Sequence, residues 1–178
     1  VTPNIRAWLL RLNARHGCFL ENQYGPSESH VVTAHRLEGA ACVDWPSLPA
    51  IGSPIQNARI YVLDAARQLL PVGVPGELYI GGVSLARGYL NRQELTDEKF
   101  VPNPFVPGER LYRTGDLAAW RANGAVDFLG RIDGQIKIRG FRVELGEIET
   151  VLASHAGVKE CAVTVQANAG QKRLLAYY

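Results

Sequence analysis

The sequence predicts a protein of the α/β (α+β) class with several subdomains: the end of an α/β layer, a small distorted β-barrel, and a small α+β C-terminal lobe. Residues 1–40 show a helix–strand–loop pattern, which is typical of the last piece of an α/β layer. Residues 41–132 combine short strand patterns with frequent Gly and Pro, which favours a small, mostly antiparallel barrel. A hairpin, a helix and two strands follow in residues 133–178. We therefore expect boundaries near residues 40 and 132.

The first predicted element is a helix. Thr2 and Pro3 form a helix start, a hydroxyl N-cap followed by Pro at the first helical position. An apolar stripe then recurs at helical spacing, and Gly17 ends the helix. The stripe consists of Ile5, Trp8, Leu9 and Leu12. Residues 18–20 predict a short buried strand, which leads into a loop over residues 22–28.

The middle of the chain predicts a series of short strands. In residues 59–64, Ile60 and Val62 share one face, with Tyr61 and Leu63 on the other. Asn123-Gly124 separates two further strand patterns and favours a type I′ hairpin turn. The remaining predicted elements are strands over 77–81, 116–120 and 125–129, and a surface loop over 101–110.

Residues 130–149, GRIDGQIKIRGFRVELGEIE, are the most informative segment. The pattern predicts strands over 135–139 and 141–143, joined at Gly140. A helix over 145–155 follows, and Leu145, Ile148 and Leu152 are expected to form its buried face. Strands are predicted over 160–165 and 173–178, with a hairpin loop at 168–171. An exposed hairpin followed by a helix explains this shape, but not so many charged residues at fixed places.

Composition excludes several function classes. The net charge of +2 is too small to favour nucleic acid or an anionic membrane as partner. The three cysteines lie far apart, which favours reduced thiols and a cytoplasmic protein. The histidines have no metal-ligand spacing, and no apolar run approaches the ~20 residues of a membrane span. The lack of Met and the strand-like run at 174–178 suggest a segment of a longer protein.

Two segments carry candidate chemistry. In residues 22–28, NQYGPSE, the ring of Tyr24 can stack on a base, the hydroxyl of Ser27 can donate to a phosphate, and Glu28 can bind Mg²⁺. A Gly-Pro turn capped by Ser27 is the alternative. In residues 112–117, YRTGDL, Asp116 can accept hydrogen bonds from both ribose hydroxyls, or it is an Asx-type turn residue.

The glycines of residues 76–90, GELYIGGVSLARGYL, match no phosphate-binding fingerprint. We interpret Gly81, Gly82 and Gly88 as structural, at bulges or at places of close backbone approach. Ser84 has no general base nearby in the sequence, so a serine nucleophile is not expected.

With these motifs in order, the chain resembles an adenylation domain of a nonribosomal peptide synthetase, within the acyl-adenylate-forming superfamily. Four family motifs are matched by NQYGPSE, with Ser27 in place of Thr, and by GELYIGGVSLARGYL, YRTGDL and GRIDGQIKIRGFRVELGEIE. The resemblance covers essentially all 178 residues. It implies an enzyme that joins an amino acid to ATP, forms an aminoacyl-AMP, and transfers the acyl group to the phosphopantetheine thiol of a carrier protein. Neighbouring synthetase domains are further implied partners, and antibiotic biosynthesis is the implied setting.

The resemblance also implies residue roles. Tyr24 stacks on adenine, Asn22 bonds its edge, Ser27 contacts the α-phosphate, and Glu28 holds Mg²⁺. Asp116 binds the ribose hydroxyls. The other implied roles are nucleotide contacts by Phe128 and Arg131, the amino-acid pocket wall for Gln23, Val31 and Val32, the hinge for Asp133, and the path of the pantetheine arm for Gly140.

Three family features are missing from the sequence: the Gly-rich phosphate loop, the acidic residue for the substrate amino group, and the C-terminal lysine. We therefore expect the isolated chain to be inactive. Two alternatives stay open, an acyl-CoA or standalone acyl-AMP ligase of the same superfamily, and a non-catalytic nucleotide-binding module. The sequence of residues 135–140 argues against the CoA ligases, which usually differ there.

Overall fold

The computed structural model describes residues 3–39, 44–132, 136–138, 141–143, 145–168 and 171–178. The chain divides into two compact units, residues 1–130 and 131–178. The elements of the first unit are α1 (Pro3–His16), β1 (Phe19–Tyr24), β2 (Thr33–Glu38), β3 (Ser53–Pro54), β4 (Ala58–Leu63), β5 (Gly76–Gly82), α2 (Gln93–Lys99), β6 (Phe100–Pro102), β7 (Arg110–Trp120) and β8 (Val126–Arg131), whose last residue belongs to the second unit.

Two sheets form the first unit. The larger has the order β4-β5-β7-β6, and β8 pairs with β7 beside this path. The smaller has the order β1-β2-β3, with antiparallel pairs. A bridge between Gly52 and Val126 joins them, because Ile51 N donates to Val126 O at 2.9 Å and Val126 N donates to Gly52 O at 2.8 Å.

One core cluster connects the regions that the sequence divides at residue 40. Its members are Val32, Ile51, Ile60, Val62, Leu78, Ile80, Phe100, Tyr112, Ala118 and Val126. The predicted alternation of β4 is confirmed, since Ile60 and Val62 enter this cluster, whereas Leu63 joins a second one against which Tyr61 packs. Burial of these side chains is the main favourable contribution to the fold.

The second unit contains a hairpin, a helix and a second hairpin, as predicted. Strand β9 (Ile136–Ile138) pairs antiparallel with β10 (Phe141–Val143), and β11 (Ala162–Asn168) pairs antiparallel with β12 (Gln171–Tyr177). Helix α3 (Leu145–Ala153) lies between them in the chain and ends two residues earlier than predicted. The predicted buried face is wrong in degree, because Leu145, Ile148 and Leu152 are only half-buried. The combination of helices and sheets confirms the predicted fold class.

Helix α1 is confirmed, but its predicted stripe is only partly buried. Leu9 is buried, whereas Trp8 is 59% exposed. Gly17 ends the helix with φ +56°. The predicted buried strand at 18–20 is wrong in its extent and burial, because β1 continues to Tyr24 and Phe19 is 47% exposed. The physical reason is its pairing with β2, which extends the strand over the first three residues of the predicted loop, 22–24.

The predicted type I′ turn is also wrong. Gly124 N donates to Arg121 O at 3.0 Å, and Arg121 N donates to Ala125 O at 2.8 Å. Of Asn123 and Gly124, only Gly124 has a positive φ, +78°. This pattern is a three-residue hairpin loop, a type I turn followed by a left-handed glycine. The Asn123 side chain accepts from Ala125 N at 3.2 Å and stabilises this alternative.

The predicted surface loop at 101–110 begins instead as an edge strand. Val101 pairs with Leu111 and Pro102 with Arg110 in the β6–β7 ladder. An edge position tolerates Pro, because one side of the strand needs no backbone donor. The glycines interpreted as structural fit that reading, since a Cβ at Gly82 would lie 2.2 Å from Asn57 O.

Candidate active site

The segment between β1 and β2, residues 24–32, folds back on itself and is called the 24–32 loop below. Val32 N donates to Tyr24 O at 2.9 Å, which closes the loop at its base. A Cβ on Gly25 would lie 1.7 Å from His30 O. His30 itself has φ +58°. Only glycine therefore permits this close approach of two backbone segments.

The loop begins at Tyr24, whose phenol donates a hydrogen bond to Asp116 Oδ2 on β7. The Asp116 residue is only 6% exposed. The ring of Phe128 on β8 lies 6.3 Å from the Tyr24 ring, at an interplanar angle of 37°. Phe128 is 39% exposed, so an apolar surface borders the buried carboxylate. Three sequence-predicted residues thus meet at one place, which we call the Tyr24–Asp116 site.

A bulge in β7 presents Asp116 to this site. Glu77 pairs with Leu117 and Tyr79 pairs with Arg113, so the single residue Leu78 faces three residues of β7. Those three residues, 114–116, are called the 114–116 bulge below. Gly115 lies within it at φ +73°, a conformation that favours glycine.

The Thr114 side chain takes the place of ladder hydrogen bonds in the bulge. Its hydroxyl donates to Leu78 O at 2.6 Å and accepts from Asp116 N at 2.9 Å. Thr114 is 4% exposed, so these backbone groups have little access to water. A buried backbone group without a partner is costly, and Thr114 therefore stabilises the backbone that carries Asp116.

Glu77 on β5 accepts hydrogen bonds from the same bulge and from the residue before it. Its Oε1 accepts from Arg113 Nε at 3.0 Å and from Gly115 N at 3.2 Å. Its Oε2 accepts from Arg113 Nε at 3.1 Å and from the Tyr79 phenol at 3.3 Å. The hydrogen bond to Glu77 raises the pKa of Arg113. Burial, and then the charge of Glu77, raise the pKa of Tyr79.

Glu28, the predicted Mg²⁺ ligand, is 8% exposed and lies beside two phenols. Tyr89 donates to its Oε1 at 2.6 Å, and the Tyr89 and Tyr112 hydroxyls are 3.4 Å apart. Burial, the hydrogen bond to Tyr89, and the nearby Glu28 raise the pKa of Tyr112. Ala86 N donates to Glu28 O at 2.7 Å, so the 76–90 motif holds both backbone and side chain of this residue.

The other predicted residues of this loop region differ in exposure. Asn22 is half-buried on β1, and its amide donates to Ala50 O at 2.8 Å. Gln23 and Ser27 are exposed. Gln23 donates to the side chain of Glu21.

The predicted pocket wall is only partly accessible. Val31 is half-buried, whereas Val32 is 0% exposed in the main core cluster. The structure thus gives Val32 no exposed surface with which to contact a substrate. Its role in the pocket wall stays a prediction.

Three predicted residues belong to the second unit. Arg131 is half-buried at the end of β8. Asp133 and Gly140 lie outside the described residues. The roles predicted for these three stay predictions.

Sequence reasoning missed Thr114, Glu77 and Tyr89 as residues that support the site. The available signal was the sequence Thr-Gly-Asp, in which a hydroxyl and a glycine precede a strand carboxylate. A bulge accommodates such a glycine, but its partner strand cannot be read from the motif alone. In the described part of the chain no group of three or more His, Cys, Asp or Glu could hold a metal ion. No helix among the described residues is long and apolar enough to cross a membrane.

Known proteins resemble the chain in sequence. The family model described as AMP-binding enzyme matches residues 3–90. The chain is 54% identical over 164 residues to tyrocidine synthase 2 of Brevibacillus parabrevis, which covers 92% of the chain. It is 55% identical over 163 residues to gramicidin S synthase 2 of Brevibacillus brevis, which covers 91%. The chain spans about 4% of the length of each of these relatives.

Solved structures resemble it in fold as well. PA1221, an NRPS protein containing adenylation and PCP domains, superposes with a TM-score of 0.80 at 33% identity, over 98% of this chain and 35% of that one. AB3403, a four-domain nonribosomal peptide synthetase bound to AMP and glycine, has 43% identity and a TM-score of 0.58, over 89% of this chain and 12% of that one.

Proposed function

Because this chain belongs to the AMP-binding enzyme family, and within it to the adenylation domains of nonribosomal peptide synthetases, we propose that the protein activates an amino acid with ATP. A carboxylate oxygen of the amino acid attacks the α-phosphorus of ATP. The bond to the β,γ-phosphates breaks, which yields an aminoacyl-AMP and pyrophosphate. A carrier-protein thiol then attacks the acyl carbon, forms a thioester and releases AMP.

The Tyr24–Asp116 site is the observation that carries this proposal. The Tyr24 ring offers a surface for adenine, with Phe128 beside it at 6.3 Å. Asp116 supplies a buried carboxylate for the ribose hydroxyls. An ionised carboxylate has about four acceptor positions, so it can retain the Tyr24 phenol and still accept two ribose hydroxyls. Asn22 contributes a further polar group for the edge of the base, and the nucleotide contact of Arg131 is proposed on the family resemblance alone.

Ser27 and Glu28 of the 24–32 loop are the residues that we propose to contact the phosphates of ATP. Ser27 is exposed and donates its hydroxyl to an α-phosphate oxygen. Glu28 would hold Mg²⁺ through its carboxylate, which fits an ion usually bound by one or two carboxylates together with substrate phosphates. When bound, Mg²⁺ neutralises charge on the phosphates. The phenols of Tyr89 and Tyr112 orient the carboxylate of Glu28 from within the fold.

The amino acid and the carrier protein are the remaining partners in the proposal. Gln23 and Val31 border the amino-acid site, with Val32 behind them in the core. Relatives that synthesise tyrocidine and gramicidin S support a peptide-antibiotic setting, and a neighbour that contains a PCP domain supports a carrier-protein thiol as acceptor. We also propose Gly140 for the path of the pantetheine arm and Asp133 for the hinge between the two steps, on the family resemblance, since both residues lie outside the described part of the chain.

Amino-acid-dependent exchange of pyrophosphate into ATP tests the proposal, with the natural full-length protein that contains this chain. In that protein, Asp116→Ala raises the KM for ATP about tenfold or more, because hydrogen bonds to a charged group are lost. The KM for the amino acid changes less than about twofold, since in the proposal Asp116 contacts the nucleotide and not the amino acid. Asp97→Ala on helix α2, which is exposed, is the control and leaves both constants unchanged. Exchange that no amino acid stimulates would reject the proposal.

A further inference from the structure

The Glu77 carboxylate accepts four hydrogen bonds, one from Tyr79 on its own strand and three from Arg113 and Gly115 at the 114–116 bulge. It is 12% exposed, whereas its cationic partner Arg113 is 44% exposed. Exposed ion pairs contribute little to stability. A nearly buried carboxylate that binds both a side chain and a backbone N–H of a bulge instead fixes local geometry.

Glu77 lies on the opposite face of β5 from the core that supports the nucleotide site. Leu78 and Ile80 point into the main core cluster, against which Tyr24 packs. Successive side chains of a strand alternate between faces, so Glu77 and Tyr79 share the other face, where Tyr79 joins a separate cluster. Glu77 therefore does not touch a nucleotide held by Tyr24 and Asp116.

The connection between Glu77 and Asp116 runs through one backbone segment. Glu77 Oε1 accepts from Gly115 N, the residue directly before Asp116. It also accepts from Arg113, the residue directly before the bulge. These two bonds hold both sides of Thr114, whose hydroxyl fixes Asp116 N. A shift of the carboxylate is thus transmitted to the direction of the Asp116 side chain.

We propose that Glu77 is a positioning residue for Asp116, and that through the 114–116 bulge it sets the selectivity of the site for a ribonucleotide over its 2′-deoxy analogue. The proposal rests on the proposed function, in which Asp116 accepts both ribose hydroxyls. If the carboxylate of Asp116 is displaced, its hydrogen bond to one hydroxyl is weakened first. Selectivity for the 2′-hydroxyl then falls more than affinity for the rest of ATP.

Two conservative variants separate position from charge. Oε1 accepts from both Arg113 Nε and Gly115 N, so Glu77→Gln keeps one oxygen acceptor for these two donors and loses only the second contact of Arg113 Nε, to Oε2. Glu77→Asp keeps the charge but withdraws the oxygens by one methylene. A positioning role predicts that Gln behaves like the natural residue and Asp does not, whereas a role for the charge predicts the reverse.

The experiment measures dissociation constants for ATP and 2′-deoxy-ATP by calorimetry, with the natural full-length protein and its variants. We expect the natural protein to prefer ATP by about tenfold or more, since the 2′-hydroxyl donates to a charged acceptor. In Glu77→Gln, the ratio of the dissociation constants for 2′-deoxy-ATP and ATP should stay within about twofold of the natural ratio. Glu77→Asp lowers it below about threefold. Glu109→Ala is the matched control, because it removes another glutamate of the same unit, paired with Arg59 away from the bulge.

The outcomes distinguish the two proposals. A natural protein that binds both nucleotides equally would overturn the selectivity proposal, because the 2′-hydroxyl would then contribute nothing to affinity, whereas the proposed function is tested separately by amino-acid-dependent pyrophosphate exchange. A natural protein that discriminates, with Glu77→Asp discriminating equally well, would overturn only the positioning role. Loss of selectivity in Glu77→Gln but not in Glu77→Asp would also overturn it. Urea unfolding of each variant verifies that the compared proteins are folded.

Discussion

The 24–32 loop and the 114–116 bulge bring groups to the same site by different physical means. The loop is held chiefly by backbone contacts: the hydrogen bonds from Val32 N to Tyr24 O and from Ala86 N to Glu28 O, and the close approach of Gly25 to His30. The bulge is held by side chains of two strands, chiefly Thr114 and Glu77.

The difference determines how each part tolerates change. A Cβ at position 25 would lie 1.7 Å from His30 O, so no side chain fits there. Even the smallest substitution at Gly25 is therefore expected to cause a large loss of activity. A side-chain hydrogen bond can be reproduced by another group with the same donor or acceptor, so the response of the bulge is graded. Predictions on the two regions therefore differ in size and in whether a conservative variant rescues them.

The largest effect is expected in the loop. Gly25→Ala places a Cβ against His30 O, and the loop that carries Ser27 and Glu28 must shift. Misplacement by about 1 Å costs on the order of 100-fold in rate, so pyrophosphate exchange should fall by about that factor. Gly146→Ala is the control, since a Cβ there meets nothing within 4 Å and the position lies in helix α3, where Ala is favoured over Gly. Equal activity of the two variants would show that the loop adapts and that the comparison is wrong.

An intermediate effect is expected in the bulge. Thr114→Val preserves shape but leaves Leu78 O and Asp116 N without the hydroxyl. Unpaired buried groups cost about 1–3 kcal/mol, and we expect the KM for ATP to rise about tenfold. Thr114→Ser restores the hydroxyl and should stay within about threefold of the natural protein. If Ser and Val variants share one KM, the hydroxyl does not position Asp116, and the bulge is held by backbone alone.

The smallest effect is expected where the two regions touch. Tyr24→Phe removes the donor to Asp116 Oδ2 and keeps the ring. The ribose hydroxyls still bind the carboxylate, so affinity for ATP, measured by calorimetry, should change less than about threefold. Tyr24→Ala also removes the aromatic face and should weaken binding further, by about 1–3 kcal/mol if the ring stacks on the base. If the Tyr24→Phe and Tyr24→Ala variants bind ATP with similar affinity, the Tyr24 ring does not stack on the base.

The sequence predicted those parts of the fold that depend on local pattern. The alternation of β4, the start and end of α1, and the hairpin–helix–hairpin order of the second unit followed from periodicity and from Gly and Pro positions. Helix α2 was not predicted, because QELTDEK has no apolar stripe and Arg92 provides no side-chain cap. The three-residue turn at 121–125 and the edge strand β6 also escaped prediction, since each depends on pairing with a neighbour.

Of the candidate site, the sequence by itself determined the chemical groups: an aromatic ring, a hydroxyl and a carboxylate in residues 24–28, and an Asp that follows a Gly in residues 112–117. The tertiary structure decided that Tyr24 and Asp116, separated by 92 positions, form a hydrogen bond. It also decided that Glu77 supports them and that Val32 lies in the core. The physical reason is that motifs fix residue types over a few positions, whereas contacts between distant residues follow from strand register, and here from a bulge whose partner strand no local pattern identifies.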